Sequence, residues 1–151
     1  MRNINSKLPP IGQYHPKNAE KYLGDHIPIF RSSWEHRVMY FLDNNPNIIK
    51  WGSEMVAIPY ISPLDGKVHR YFVDFYAETV GLNGKVKILI EVKPKHQLLP
   101  PKTKNRSKKT IITESRQYAV NMSKFEAAEH YCAKYGYKWY IFTEEDIEIN
   151  C

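Results

Sequence analysis

The sequence predicts an α/β fold: a mixed β-sheet, made of a three-stranded meander plus one parallel strand, flanked by helices. Three observations predict it. An apolar helical face follows a capping signal at Ser32. Three strand-like runs between residues 54 and 93 are separated by turn signals. The most apolar of these runs is followed by a long loop, a helix and a last strand, which is enough chain for a right-handed parallel crossover.

Each element has a local reason. Residues 1–30 carry Pro9, Pro10, Gly12, Pro16, Gly24 and Pro28, too many breakers for a long helix, so an irregular N-terminal arm is expected. Residues 31–151 read as a single domain. Ser32 and Glu35 have the spacing of a capping box, and Trp34, Val38, Phe41 and Leu42 recur on one helical face. Asn44-Asn45-Pro46 ends that helix. Glu54–Tyr60 is a short strand with Pro59 marking an edge. Pro63-Leu64-Asp65-Gly66 is a turn, His69–Glu78 a second strand, and Asn83-Gly84 a hairpin signal. Lys85–Lys93 has a continuous apolar centre and reads as a central strand covered on both faces. Residues 94–110 form a loop with three prolines, Thr113–Tyr135 a helix stopped by Gly136, and Lys138–Thr143 the last strand.

Composition narrows the function. The 151 residues contain 22 Lys or Arg and 16 Asp or Glu, a net charge of +6, which favours an acidic partner. No apolar run is long enough for a membrane span, and residues 1–18 contain no apolar leader core, so no membrane association is expected. Cys132 and Cys151 are too few for a disulfide framework or a four-cysteine zinc site. The six histidines lack metal-ligand spacing, and the absence of a Gly-rich phosphate loop disfavours a nucleotide cofactor.

The chemistry concentrates in Glu35, Asp74, Glu91 and Lys93. Asp74 interrupts an apolar strand, and Glu91 and Lys93 share one face of the next strand. Two carboxylates and an ammonium on adjacent strands suit a hard divalent ion such as Mg²⁺ or Mn²⁺, with Lys93 beside the attacking water. A solitary Glu-x-Lys is usually a cross-strand ion pair, and Glu35 alone would be half of a capping box. Burial of the strand separates the readings, because an unpaired charge there is costly.

This order, a helical Glu35, a strand Asp74, then Glu91-Val92-Lys93, resembles the PD-(D/E)XK nuclease superfamily with its restriction-endonuclease-like core, from Arg31 to about Thr143. Val73 stands where that family usually has a proline that is not a ligand. The resemblance implies that Asp74, Glu91, the Val92 carbonyl and Glu35 hold metal, and that the target is double-stranded DNA. The segments RSSWE, IPYISPLDGKVHRYFVDF, EVKPK and NMSKFEAAEHYC are similar to the head completion nucleases of T4-like bacteriophages. That similarity implies action on packaged heads before tail attachment, portal or neck partners, and a place in the virion head-neck region and the host cytoplasm. An assembly or DNA-end-binding protein with little turnover is the alternative. A transposase-type or repair endonuclease would share the chemistry.

DNA contacts are expected from Arg31, from Lys95, Lys102, Lys104, Arg106, Lys108 and Lys109 in and after the loop, and from Gln117, Asn121 and Lys124 on the following helix. Residues 94–109 hold six basic and no acidic side chains, so the net +6 resides there.

Overall fold

In the computed structural model, residues 11–151 are described; the first ten residues of the expected arm, with Pro9 and Pro10, lie outside them. Gly12–Gln13 (β1) pairs with Ile29–Phe30 (β2). The segment between them wraps onto the first helix, Ser33–Asn44 (α1), through a fully buried Asp43. The Tyr14 hydroxyl donates to that carboxylate at 2.6 Å and the Lys17 N–H at 2.7 Å. Ser32 caps α1 by accepting the Glu35 N–H at 3.1 Å. Val38, Met39 and Leu42 are buried without exposure, with Trp34 and Phe41 packed beside them.

The sheet runs β3-β6-β7-β8, with β3 Ile48–Ser53, β6 Phe75–Gly81, β7 Gly84–Val92 and β8 Tyr137–Phe142. The first three strands are antiparallel and β8 is parallel to β7, as expected. The first meander strand, however, is Ile48–Ser53 and not Glu54–Tyr60. It ends in Gly52-Ser53, weak strand formers, and is held by pairing with β6 more than by its own propensity.

Ala57–Ile61 (β4) and Val68–Phe72 (β5) form a separate two-stranded hairpin. The expected strand His69–Glu78 is therefore divided between β5 and β6. At the division the Val73 N–H donates to the Val56 carbonyl at 3.1 Å, while Glu54, at φ +52°, donates its N–H to the Asp74 carbonyl at 3.0 Å. The chain changes sheets at Val73-Asp74, so Asp74 sits in a bend between two strands.

A short 3₁₀ turn at Lys95–Leu98 precedes an irregular loop. The long helix Lys108–Tyr135 (α2) then starts five residues before the expected Thr113. Ser107 caps it, accepting the Thr110 N–H at 3.2 Å. Lys108 and Lys109 thus belong to its first turn and not to the loop. Gly136, at φ +78°, supplies the left-handed stop. A C-terminal helix, Glu144–Asn150 (α3), was not anticipated; Thr143 and Asp146 form its capping box and Ile147 is fully buried beside α1.

The sheet divides the core in two. Phe75, Ala77, Ile90 and Val92 pack with α1, and Tyr71, Val73, Tyr76 and Leu89 pack with Ala128 and Cys132 of α2. The central strand β7 is covered on both faces, and at its C-terminal end the buried Glu91 meets the half-buried Asp74.

Candidate active site

Register brings the acids together. Phe75 pairs with Ile90, so Asp74, one residue earlier, lies across from Glu91. Asp74 Oδ2 accepts the Val92 N–H at 2.8 Å, and the Asp74 N–H donates to Glu91 Oε1 at 3.3 Å. Each carboxylate is thus clamped by the neighbouring strand's backbone. The Tyr71 hydroxyl also donates to Glu91 Oε1, at 2.5 Å. Glu91 is 4% exposed, and Lys93 Nζ lies 3.6 Å from its other oxygen, Oε2. The Lys93 N–H donates to the Phe142 carbonyl at 3.0 Å, which ties the base of that side chain to β8.

Burial dominates the electrostatics. It pushes Asp74 well above the usual carboxylate range, and the Glu91 and Glu35 charges push it further. The Val92 N–H and Lys93 oppose them. Glu91 is also raised by burial, against the pull of Lys93, Tyr71 and the Asp74 amide. Burial raises Glu35 too, opposed first by the Arg31 amide and the Arg31 charge, then by the Ser32 hydroxyl. Lys124, from α2, is lowered by burial and by Lys93, while Glu91 and Asp74 attract it. Its ammonium lies 5.5 Å from the Tyr71 ring centre and 5.8 Å from that of Tyr60. Glu35, Asp74, Glu91, Lys93 and Lys124 therefore share one electrostatic neighbourhood. Among the described residues no three His, Cys, Asp or Glu side chains form a preformed metal cage; Asp74 and Glu91 are a pair, and Glu35 acts on Asp74 from α1.

The other expected residues separate into groups. Arg31 is not a free cation, since its guanidinium pairs with Glu54 at 2.5 Å and its N–H reaches Glu35 at 3.3 Å. Glu54, unassigned from sequence, is thereby accounted for. Lys95 is drawn to α3, with its ammonium 2.9 Å from Glu145 and its N–H donating to Glu144 at 2.7 Å. Arg106 pairs with Glu114. These contacts correct the picture of six uncommitted cations: Lys102, Lys104, Lys108 and Lys109 are exposed and make no ion pair among the described residues. Gln117 Nε2 donates to Asn121 Oδ1 at 3.0 Å, and Asn121 is 1% exposed.

Sequence reasoning missed Tyr71, which reads as one more aromatic in an apolar strand. The signal was available, because a buried tyrosine hydroxyl needs a partner and the nearby acids were candidates.

Residues 45–144 match the family model described as TnsA-like endonuclease N terminal, a stretch that contains Asp74, Glu91 and Lys93 and leaves out Glu35. Over 141 residues the chain is 38% identical to the head completion nuclease of Enterobacteria phage T4, an alignment covering 90% of this chain and 92% of that protein.

Proposed function

Since the chain belongs to the TnsA-like endonuclease family, we propose that it is a metal-dependent deoxyribonuclease, endonucleolytic in mode, that serves the completion of phage heads as its T4 relative's name states of that protein. The observation that carries the catalytic part is the pair Asp74–Glu91. Glu91 is buried and Asp74 half-buried, both are raised by desolvation, and like charges so placed are costly unless a cation joins them. Their hard oxygen donors fit Mg²⁺ or Mn²⁺.

Asp74 and Glu91 would hold the ion through the oxygens not taken by Val92 and Tyr71, with the Val92 carbonyl as a further ligand. Glu35 would serve a second ion or its water. When bound, the ion supplies a more acidic water and stabilises charge on the scissile phosphate. Lys93 orients the attacking water and neutralises developing negative charge from its place beside Glu91 Oε2. Tyr71 keeps Glu91 turned so that Oε2 stays available. Lys124 meets a phosphate from the α2 side. Lys102, Lys104, Lys108 and Lys109 hold the duplex backbone without reading its sequence.

Portal or neck proteins are the partners this reading implies, with the head-neck region as the place of action. No helix of the described residues is long and apolar enough to cross a membrane. A pure assembly protein would have no use for a close pair of like charges with one of them buried.

Asp74→Ala and Lys93→Ala should each lower DNA cleavage by about a hundredfold or more, the scale of losing one group that stabilises transition-state charge. Circular dichroism should stay that of the wild type. Wild-type Mg²⁺-dependent cleavage by both variants would overturn the site.

A further inference from the structure

A small cavity of about 150 Å³ has His96, Leu99, Pro101, Gln117, Tyr118 and Asn121 in its wall. Two routes connect it to the catalytic residues. His96 follows Lys93 by three positions, and Asn121 precedes Lys124 by three on one face of α2, a rise of about 4.5 Å along the helix. The basic N-terminal turn of α2 lies further along the same helix.

Asn121 is the informative residue. Its Nδ2 is buried and has no hydrogen-bond partner among the described residues. An orphaned buried donor is costly, so a partner is expected when the protein works. Gln117 and Asn121 bond to each other through one N–H and one carbonyl. Whichever way the two amides are turned, one N–H and one C=O remain for a ligand. A donor beside an acceptor is what the edge of a nucleobase requires, and paired amide contacts to bases are a standard means of readout.

The rest of the wall suits a base better than a phosphate. Leu99 and Pro101 are apolar, and Tyr118 offers an aromatic side chain for stacking. No lysine or arginine lines the cavity, and Glu114, which does, already holds Arg106. The volume leaves room for one planar ring system.

We propose that this cavity is a pocket for a single nucleobase, the one flanking the scissile phosphate on the side of the basic end of α2. The proposal rests on the nuclease reading and adds to it a determinant of where the enzyme cuts. The base would come either from a duplex, by flipping, or from a strand already unpaired.

The test maps cut sites on random-sequence DNA, duplex and single-stranded, in Mg²⁺, for the wild type, Asn121→Leu and Gln117→Leu. The wild type should favour one or two bases at a position beside the cut by about fivefold or more, the lower range for a bidentate polar contact. Asn121→Leu, which replaces the orphaned amide with an apolar side chain of similar size, should lower that preference below about twofold among the cuts it makes. A preference on duplex DNA supports flipping, and one on single strands alone supports capture of an unpaired base. Cutting without preference, or a preference that survives both substitutions, overturns the pocket and leaves the nuclease standing. Failure to cut any DNA overturns the nuclease reading. In that event, binding of a single strand containing 2-aminopurine decides the pocket: Asn121→Leu should weaken it at least fivefold, and unchanged affinity overturns the pocket.

Discussion

In the proposed site Asp74 sits in the bend between β5 and β6. Its Oδ2 is satisfied by the Val92 amide, but its half-buried charge lies beside that of Glu91. Asp74→Asn keeps an oxygen acceptor for Val92 and removes the charge. It should stabilise the metal-free protein by about 1–3 kcal/mol, the scale of a badly placed buried polar group, seen as a melting temperature several degrees higher. The pH dependence follows from the direction of the shift. A carboxyl whose folded pKa lies above its unfolded value binds its proton more tightly in the folded state. It contributes stability below the unfolded value, and that contribution is lost as pH rises through the folded one. The advantage of Asp74→Asn should therefore be largest above neutrality and shrink as pH falls toward about 5, close to the ordinary carboxylate range. Thermal melts of both proteins across that range check this, and a gap that widens on acidification contradicts it. Adding Mg²⁺ or Mn²⁺ at neutral pH should raise the melting temperature of the wild type and leave Asp74→Asn nearly unmoved, because in the proposed site only the intact pair would bind the ion.

The helix α2 and the loop before it carry the substrate-binding argument. Of the six cations in residues 94–109, Lys102, Lys104, Lys108 and Lys109 make no ion pair among the described residues, whereas Lys95 and Arg106 are held by Glu145 and Glu114. Changing the first four to Gln should lower the salt dependence of DNA binding by up to about 4 in log–log slope, near 0.9 per lost phosphate contact. Changing Lys95 and Arg106 should move it far less. Equal effects from the two sets would show that the ion pairs open when DNA binds. Lys108 and Lys109 also stand at the positive end of the α2 dipole, where a cation is unfavourable by roughly 0.3–1 kcal/mol. Neutralising them should slightly raise stability while weakening DNA binding.

At the scale of the whole molecule, the layered α/β plan and the parallel β7–β8 pair were legible in the sequence, because they follow from apolar periodicity and from the length of chain between Lys93 and Lys138. Asp74, Glu91 and Lys93 were legible as charges inside apolar strands. The assignment of strands to sheets was not. His69–Glu78 reads as one strand, and only tertiary pairing divides it at Val73-Asp74. Ion pairing was equally hidden: Arg31 meets Glu54 across 23 residues and Lys95 meets Glu145 across 50, separations that no local pattern encodes. The net charge of +6 is thus less concentrated in usable cations than the basic segment suggests. The central claim, that Asp74, Glu91 and Lys93 form a metal-dependent phosphodiesterase centre, is tested most directly by nicking of supercoiled plasmid in Mg²⁺, in EDTA, and by Glu91→Gln in Mg²⁺. Nicking should occur with the wild type in Mg²⁺ and be lost both in EDTA and in the variant, which retains an oxygen for the Tyr71 hydroxyl. Nicking that persists in EDTA, or a Glu91→Gln protein that cuts at the wild-type rate, would contradict the claim.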